Sequence, residues 1–232
     1  MITKRKFLFS VFCIIGAIVL SVVAVKALCE KWQEKTMDTD ALFFTSLEDM
    51  QQWGSCRYNL EAELQLNNYK IAKTVINGER DVDGNLHICG EIMDTKMEAY
   101  QFAGDHYRYH SASKQWIHQE NSPLADNGIL RMLIDPTENF LFSDTISVTY
   151  KEKIRDGGRK YYRFIVVPKE GFHVADEYFT DFRYTIHIDT ETKQITEAVI
   201  RGVSRTESEN KLTVSVCFYD INENFRLQPP IQ

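Results

Sequence analysis

From Cys56 to Tyr219, apolar side chains alternate with polar ones in a series of short runs. In the clearest run, Leu60, Ala62 and Leu64 are separated by glutamates. Because successive side chains of a strand point to opposite faces, each run predicts a β-strand with one buried face. Turn sequences such as DVDGN at 81–85 separate the runs, as is typical of hairpins. The pattern therefore predicts a meander of about ten antiparallel strands.

Two segments have the spacing of a helix instead. In the first, Phe43, Leu47 and Met50 recur at steps of four and three, and Thr39 or Asp40 can cap the first turn. The second begins at residues 122–123, carries an apolar stripe that includes leucines 130 and 133, and is expected to stop at a proline, residue 136. Both segments are amphipathic, so each is expected to lie on the sheet.

The order helix, strands, helix, strands contains no βαβ alternation and predicts an α+β fold. A sheet of about ten strands is expected to curl strongly. We therefore expect a half-barrel, a strongly curled antiparallel sheet whose concave face is covered by the helices. One N-terminal transmembrane helix is expected to precede it.

That transmembrane helix is predicted over Phe7–Val25, where 19 residues carry no charge and follow three basic residues. Such a helix is about 28 Å long, close to the hydrocarbon thickness of a bilayer. The basic residues are expected to stay in the cytoplasm. The predicted organisation is a cytoplasmic stub (1–6), a signal anchor (7–25), a linker (26–38) and an extracytoplasmic domain (39–232). This places the protein in the cell membrane as a single-pass protein.

Three other interpretations of the N-terminal segment stay open. A cleaved signal peptide is compatible with Val25 and Ala27 at its processing site. A lipoprotein signal could end at Cys29, although Lys26 stands where that motif has an aliphatic residue. A buried core helix is the third. All except the last export the domain.

Charge is distributed unevenly along the chain. Residues 1–35 hold six Lys or Arg and two Asp or Glu, which leaves 21 basic against 31 acidic residues in the remainder. A domain with a balance of −10 is not expected to bind nucleic acid or to adhere to anionic lipid headgroups. The hydrophobic content of 44% excludes a disordered chain.

Three cysteines belong to the predicted domain: Cys56, Cys89 and Cys217. Their spacing matches no metal-binding or redox motif. Either one pair forms a disulfide and leaves an odd thiol, or all three are small buried hydrophobic residues.

Motifs of the domain resemble the lipoprotein-carrier superfamily, the LolA-like fold of bacterial periplasmic carriers and surface lipoproteins. A glutamate and tyrosine strand, a glycine turn with a tyrosine, and a tryptophan after the next turn are matched by Glu98, Tyr100, Gly104, Tyr107 and Trp116. The final strand with its acidic-Asn turn and prolines is matched by Tyr219, Asp220, Asn222, Pro229 and Pro230. The resemblance covers nearly the whole predicted domain.

This resemblance implies an apolar cavity between half-barrel and helices that holds an acyl chain, a lipoprotein or a peptide. The residues expected to line it are Tyr100, Phe102, Tyr107, Trp116, Leu130 and Leu133. In the alternative interpretation, the same aromatic residues are ordinary core under the helices. Carriers of the superfamily are soluble or lipid-anchored, so a fixed anchor disfavours long-distance shuttling and favours local binding, sensing or docking.

Four histidines on the predicted strands raise the question of a metal site. His106 and His110 share one strand face with Arg108 between them, and His87 and His118 lie on neighbouring strands. Zinc requires three or four converging ligands without a guanidinium among them. We therefore expect these histidines to face solvent and no metal to be bound.

The DVDGN stretch begins like a calcium-binding loop. Asp81, Asp83 and Asn85 match its first ligands, but Ile92 stands at the twelfth position, where a glutamate is required. An ordinary turn is expected. No HExxH, nucleophile-elbow or phosphate-loop motif occurs, so we expect neither a cofactor nor catalysis.

Two functions remain. The first is a non-enzymatic, membrane-anchored extracytoplasmic binding protein for an apolar ligand such as a lipid, an acyl chain or a lipidated peptide. The second is an extracytoplasmic interaction or envelope-sensing domain of the same shape, with a core filled by its own side chains and an envelope protein as partner.

Overall fold

The computed structural model describes residues 36–67, 69–122, 124, 133–142, 147–168 and 178–231, together with residues 21, 22, 25 and 28. The predicted anchor Phe7–Val25 lies outside the described residues apart from three positions at its end. No helix among the described residues is both long and apolar enough to span a bilayer. The chain divides into two compact units, Met1–Leu42 and Phe43–Gln232.

One α-helix, α1 (Thr39–Gln51), is described in full. The carboxylate of Asp38 accepts a hydrogen bond of 3.0 Å from the amide of Ala41, so Asp38 caps the helix rather than Thr39 or Asp40. A cap one residue earlier leaves the apolar spacing unchanged. The helix buries Phe43, Leu47 and the other predicted members of its stripe.

Eleven antiparallel strands form one sheet. Their bounds are β1 (Cys56–Leu66), β2 (Tyr69–Arg80), β3 (Leu86–Ile92), β4 (Thr95–Phe102), β5 (Asp105–His110), β6 (Gln115–Gln119), β7 (Ser147–Asp156), β8 (Arg159–Val167), β9 (Phe179–Asp189), β10 (Ile195–Ser204) and β11 (Lys211–Tyr219). The spatial order is β6-β5-β4-β3-β2-β1-β11-β10-β9-β8-β7, so the first and last strands pair at the centre. We call β1–β6 the N-terminal wing and β7–β11 the C-terminal wing.

One face of the sheet carries most of the buried side chains, and we call it the core face. On β1 it is marked by Tyr58, Leu60 and Ala62, which pair with Phe218, Val216 and Val214 on β11. We call the opposite face the open face. On β1 it carries Arg57, Asn59 and Glu61. The helix α1 packs on the core face, where the rings of Phe43 and Phe164 lie 5.5 Å apart.

The antiparallel sheet and the α+β class are confirmed, but the strong curl is not. The sheet is open, because β6 and β7 each pair with a single neighbour. The completely buried large side chains lie mainly on α1, β1 and β8–β11. Among the described residues, the strands at the two rims, β4–β6 and β7, carry none of these large side chains, so no large buried group there requires the sheet to curl.

The predicted second helix is described only at its end. Leu133 and Ile134 are helical and buried, whereas Leu130 lies outside the described residues. The α-helix ends before Pro136, as predicted, and a separate 3-10 helix, Pro136–Phe140, begins after Asp135. Asp135 caps this turn by accepting a 3.1 Å hydrogen bond from the amide of Thr137.

Candidate functional site

The connection between β6 and β7 begins on the core face of the N-terminal wing. Gln101 on β4 pairs with His106 on β5, and both side chains bind this connection. The ring of His106 donates from Nδ1 to the carbonyl of Ser122 at 2.9 Å, and the amide of Leu124 donates to Oε1 of Gln101 at 2.6 Å. The prediction that the strand histidines face solvent is wrong for His106, which is buried because the chain returns over it.

The same connection is attached again at β1 and β2. The hydroxyl of Tyr58 donates to the carbonyl of Ile134. The ring of Tyr58 can lie across β2 because a Cβ at position 78, which is a glycine, would collide with it. Burial raises the pKa of Tyr58 well above its ordinary value, so the hydroxyl stays protonated and remains a donor.

Arg80 makes three polar contacts at this second attachment. Its guanidinium lies 3.3 Å from Asp135 and 2.9 Å from the hydroxyl of Thr137, and it donates to the carbonyl of Trp53 at 3.0 Å. The side chains of Arg80 and Asp135 are each less than one fifth exposed. We call this group the Arg80 clamp, because it joins β2, the 3-10 helix and the residue that follows α1.

Between the two attachments, the core face of the N-terminal wing has a floor of small apolar side chains. Ile76, Ile88 and Ala99 are at most 1% exposed, and Leu86 and Met97 are half-buried. Apart from the exposed Tyr69 at the start of β2, none of the described side chains that β2–β6 place on the core face is a phenylalanine, tyrosine or tryptophan. Apart from the ring of Tyr58, which lies over position 78, this floor is aliphatic, and that distinguishes it from the ring-filled core face of β8–β11.

In the C-terminal wing, aromatic rings fill the core face. Phe140 of the 3-10 helix contacts Tyr184 and Phe218 with ring centroids 6.2 and 6.1 Å apart. Phe218 in turn lies 5.4 Å from the ring of Trp53, which follows α1. Edge-to-face contacts of this kind leave these side chains packed against one another.

The open face of β3–β6 carries the aromatic residues that were predicted to line a cavity. Tyr100 contacts Phe102 and Trp116 at 5.9 and 5.6 Å, and Phe102 contacts Tyr107 at 5.9 Å. All four are half-buried. The register places them on the side of Glu79 and His87, because Ala99, the neighbour of Tyr100, pairs with Ile88 on the core face. We call this group the aromatic strip.

The six predicted site residues therefore do not lie together. Four of them form the aromatic strip on the open face. Leu133 is buried beside Ile134, at the attachment to the core face, and Leu130 lies outside the described residues. An alternating pattern predicts which side chains share a face of the sheet. It does not predict which of the two faces is covered, because side chains on both faces recur at every second residue. Here the more aromatic face is the open face. The short aliphatic side chains of the floor occur in the alternating pattern of any strand, so the sequence did not indicate them as a candidate site.

Histidine and carboxylate pairs recur on the open face. Glu79 lies 2.6 Å from Arg57 and 3.1 Å from Nδ1 of His87. Burial acts to raise the pKa of Glu79, but the hydrogen bonds from Arg57 and His87 outweigh it and hold that pKa below its ordinary value. In the C-terminal wing, Glu197 lies 2.7 Å from His187, whose hydrogen bond lowers the glutamate pKa in the same way. Across the described part of the chain, no three metal-ligating side chains converge.

The DVDGN turn is confirmed as a turn. The carboxylate of Asp81 accepts hydrogen bonds from the amides of Asp83 and Asn85, at 3.0 and 2.9 Å. It also accepts one of 2.8 Å from the amide of Leu227, which fastens the C-terminal segment to the turn. Asp81 is completely buried, and a fourth hydrogen bond, of 3.0 Å, reaches its carboxylate from the side-chain amide of Asn85.

The three cysteines of the domain are free thiols. Cys89 and Cys217 are exposed on the open face, with Asn77 and Asn59 between them in the register, so no disulfide joins them. Cys56 is buried, and its burial raises the thiol pKa to about 11. The interpretation of these cysteines as small buried hydrophobic residues therefore holds for Cys56 but not for Cys89 and Cys217, and the disulfide interpretation holds for none of the three.

Comparison with solved structures identifies the fold as LolA-like. The chain is similar to the lipoprotein LppX of Mycobacterium tuberculosis, with a TM-score of 0.56 and 9% identity over 83% of this chain and 100% of that one. It is also similar to LprF of Mycobacterium bovis, with a TM-score of 0.52 and 10% identity over 82% and 95% of the two chains. No family model matches the sequence, and no curated protein matches it. The likeness is therefore one of structure, and it confirms the fold that the sequence motifs predicted.

Proposed function

We propose that this chain is a non-enzymatic binding protein that holds an apolar ligand, a lipid acyl chain or a lipidated peptide. The site is the floor on the core face of the N-terminal wing, between the two attachments of the β6–β7 connection. The protein is anchored in the cell membrane by Phe7–Val25, with its domain on the extracytoplasmic side. It acts locally rather than as a shuttle.

One observation carries this proposal. Large rings fill the core face of the C-terminal wing, whereas the floor of the N-terminal wing is built from short, buried aliphatic side chains such as Ile76, Ile88 and Ala99. Aliphatic surfaces suit acyl chains, because burying apolar area contributes about 25 cal/mol per Å² without any directional requirement. The LolA-like fold supports the same ligand class.

Photo-crosslinking in membranes tests the proposal. The full-length chain is incubated with a lipid whose acyl chain carries a diazirine, and the labelled peptides are mapped by mass spectrometry. We expect adducts on the core-face residues of β3 and β4. The variant Met97→Trp fills the floor and should lose most of this labelling, while Lys96→Trp, its exposed neighbour on the open face, should keep it. Equal labelling in both variants, or adducts confined to the N-terminal segment, would contradict the proposal.

A second candidate function is an interaction domain for an envelope protein, which two observations favour. The core face of the C-terminal wing is filled by its own side chains, and the aromatic strip is half-exposed on the open face. Half-exposed aromatic clusters are common in protein interfaces. If this function is correct, Tyr100→Ser and Trp116→Ser abolish capture of the partner, and the unaltered chain gives no lipid adducts on β3 and β4.

A further inference from the structure

The two ends of the floor differ in what closes them. At one end lie the Arg80 clamp, the Tyr58 bond to the connection and the DVDGN turn with the bound C-terminal segment. At the other end lie two hairpin tips, the β1–β2 turn at Asn67 and the β3–β4 turn at Met93–Asp94. We call them the clamp end and the tip end.

The clamp end is closed by polar contacts that an apolar chain cannot replace. Arg80 and Asp135 are less than one fifth exposed and hydrogen-bonded, so separating them would leave buried polar groups unpaired. Ser55, next to the clamp, donates to the carbonyl of Glu223, and Asn222 accepts from the amide of Gly54. A ligand passing this end would have to break several of these bonds.

Toward the tip end, the apolar side chains of the core face are more exposed than Ile76. From the buried Ile76, the core face continues through Met97, Ile92 and Leu64, which are half-buried. It ends at the turns, where Tyr69 is 76% exposed. The floor therefore reaches the surface at this end through mainly apolar side chains, with the hydroxyl of Thr74 as the polar group among them.

Tyr69 and Met93, at 76% and 63%, are the two most exposed large hydrophobic residues among those described in Phe43–Gln232. Their backbones are well held: the amide of Met93 donates to the hydroxyl of Thr74 at 3.3 Å. The β1–β2 turn is held by the amide of Asn67, which donates to Asn210 at 2.9 Å. Hydrogen bonds therefore hold the backbone at Met93 and at Asn67, two residues before Tyr69.

The β3–β4 turn gives no conformational reason for a methionine. Met93 and Asp94 have φ values of 48° and 63°, the left-handed pair of a two-residue hairpin turn. Asparagine and glycine are strongly preferred at these positions, whereas an unbranched apolar residue is disfavoured. An exposed apolar side chain thus stands where the backbone geometry favours a polar residue or glycine.

We propose that the tip end contacts the lipid bilayer and is the route by which the apolar ligand enters and leaves the floor; this rests on the proposed function. Tyr69 and Met93 insert into the interface, where an amphipathic ring and a flexible thioether side chain are well placed. The local charge is compatible with this contact. Residues 63–73 and 91–96 together hold three basic and three acidic side chains, whereas residues 36–232 have a balance of −10.

A site-specific photo-crosslinker tests the contact. Benzoylphenylalanine is placed at Met93, or as a control at Val82, which is exposed in the β2–β3 turn at the clamp end. The full-length chain is reconstituted in vesicles of phosphatidylcholine with a minority of phosphatidylglycerol. We expect phospholipid adducts at position 93 and few at position 82. Equal yields at both positions, or a higher yield at 82, would overturn the proposal.

A kinetic measurement tests the route. In Tyr69→Ser/Met93→Ser, we expect the diazirine lipid to label the floor about tenfold more slowly and to reach the same plateau, since only the path from the bilayer is altered. An unchanged rate would contradict the tip end as the entrance. Absence of floor labelling in the unaltered chain would contradict the proposed function, whereas the adducts at position 93 would still report on the bilayer contact.

Discussion

The two wings of the sheet have the same strand geometry but bury different kinds of side chain. In the C-terminal wing, Phe164, Tyr184 and Phe218 pack against α1 and the 3-10 helix. In the N-terminal wing, the core face has short aliphatic residues and is attached to the β6–β7 connection by polar contacts. The comparison shows that one sheet can combine two kinds of core: the C-terminal wing packs large aromatic rings, and the N-terminal wing packs short aliphatic side chains, where we propose that the ligand binds.

The largest expected effect concerns the aromatic packing of the C-terminal wing. Phe164→Ala should cost about 4 kcal/mol of unfolding free energy, because a completely buried ring in contact with Phe43 leaves a cavity. Met97→Ala, at a half-buried position of the floor, should cost about 1 kcal/mol. Urea denaturation followed by circular dichroism measures both. Similar costs at the two positions would show that the wings do not differ in this way.

The next effect concerns the Arg80 clamp. Arg80→Ala should lower the free energy of unfolding by about 2 kcal/mol, since it removes three hydrogen bonds and leaves Asp135 without its cation. Lys73→Ala on the same strand removes an exposed ion pair with Glu61 and should cost about 0.5 kcal/mol or less. Thermal unfolding of the two variants is the measurement. If Arg80→Ala were as mild as Lys73→Ala, the clamp would not hold the connection.

The smallest effect is one of pH. The pKa values of Glu79 and Glu197 are lower in the folded chain than their ordinary value, so each carboxylate stabilises the fold above about pH 4.3. That stability is lost as the pH falls from there through the lowered folded pKa. Glu79→Gln and Glu197→Gln should each flatten the decline of stability in this acidic range. Unchanged slopes in urea titrations at several pH values would refute the assignment.

Most of the strands were predictable because their signal is local. The alternation of Leu60, Ala62 and Leu64 with glutamates directly reflects a strand with one buried face. The motif containing Tyr100 and Trp116 also indicated the correct fold, although it did not indicate on which face those rings lie. Whether the rings lie on the buried or the open face depends on which face of the sheet the helix covers, and the alternating pattern is the same for both faces.

Other features have no local signal. The pairing of β1 with β11 joins segments more than a hundred residues apart, and nothing in either segment specifies the partner. The burial of His106 depends on a hydrogen bond to Ser122, in the chain that follows β6. The floor was missed because Ile88 and Ala99 are the ordinary residues of any strand core, and only the contrast with the C-terminal wing distinguishes them.

The central position of β1 and β11 has a consequence for biogenesis. During synthesis, β1 emerges long before Lys211 and β11, a delay of roughly 10–30 s at ordinary elongation rates. Throughout this interval one edge of β1 lacks its partner strand, and unpaired edges of this kind are sites of misassembly. A holding chaperone that shields nascent strands should therefore matter more for this topology than for one whose terminal strands lie at the rims of the sheet.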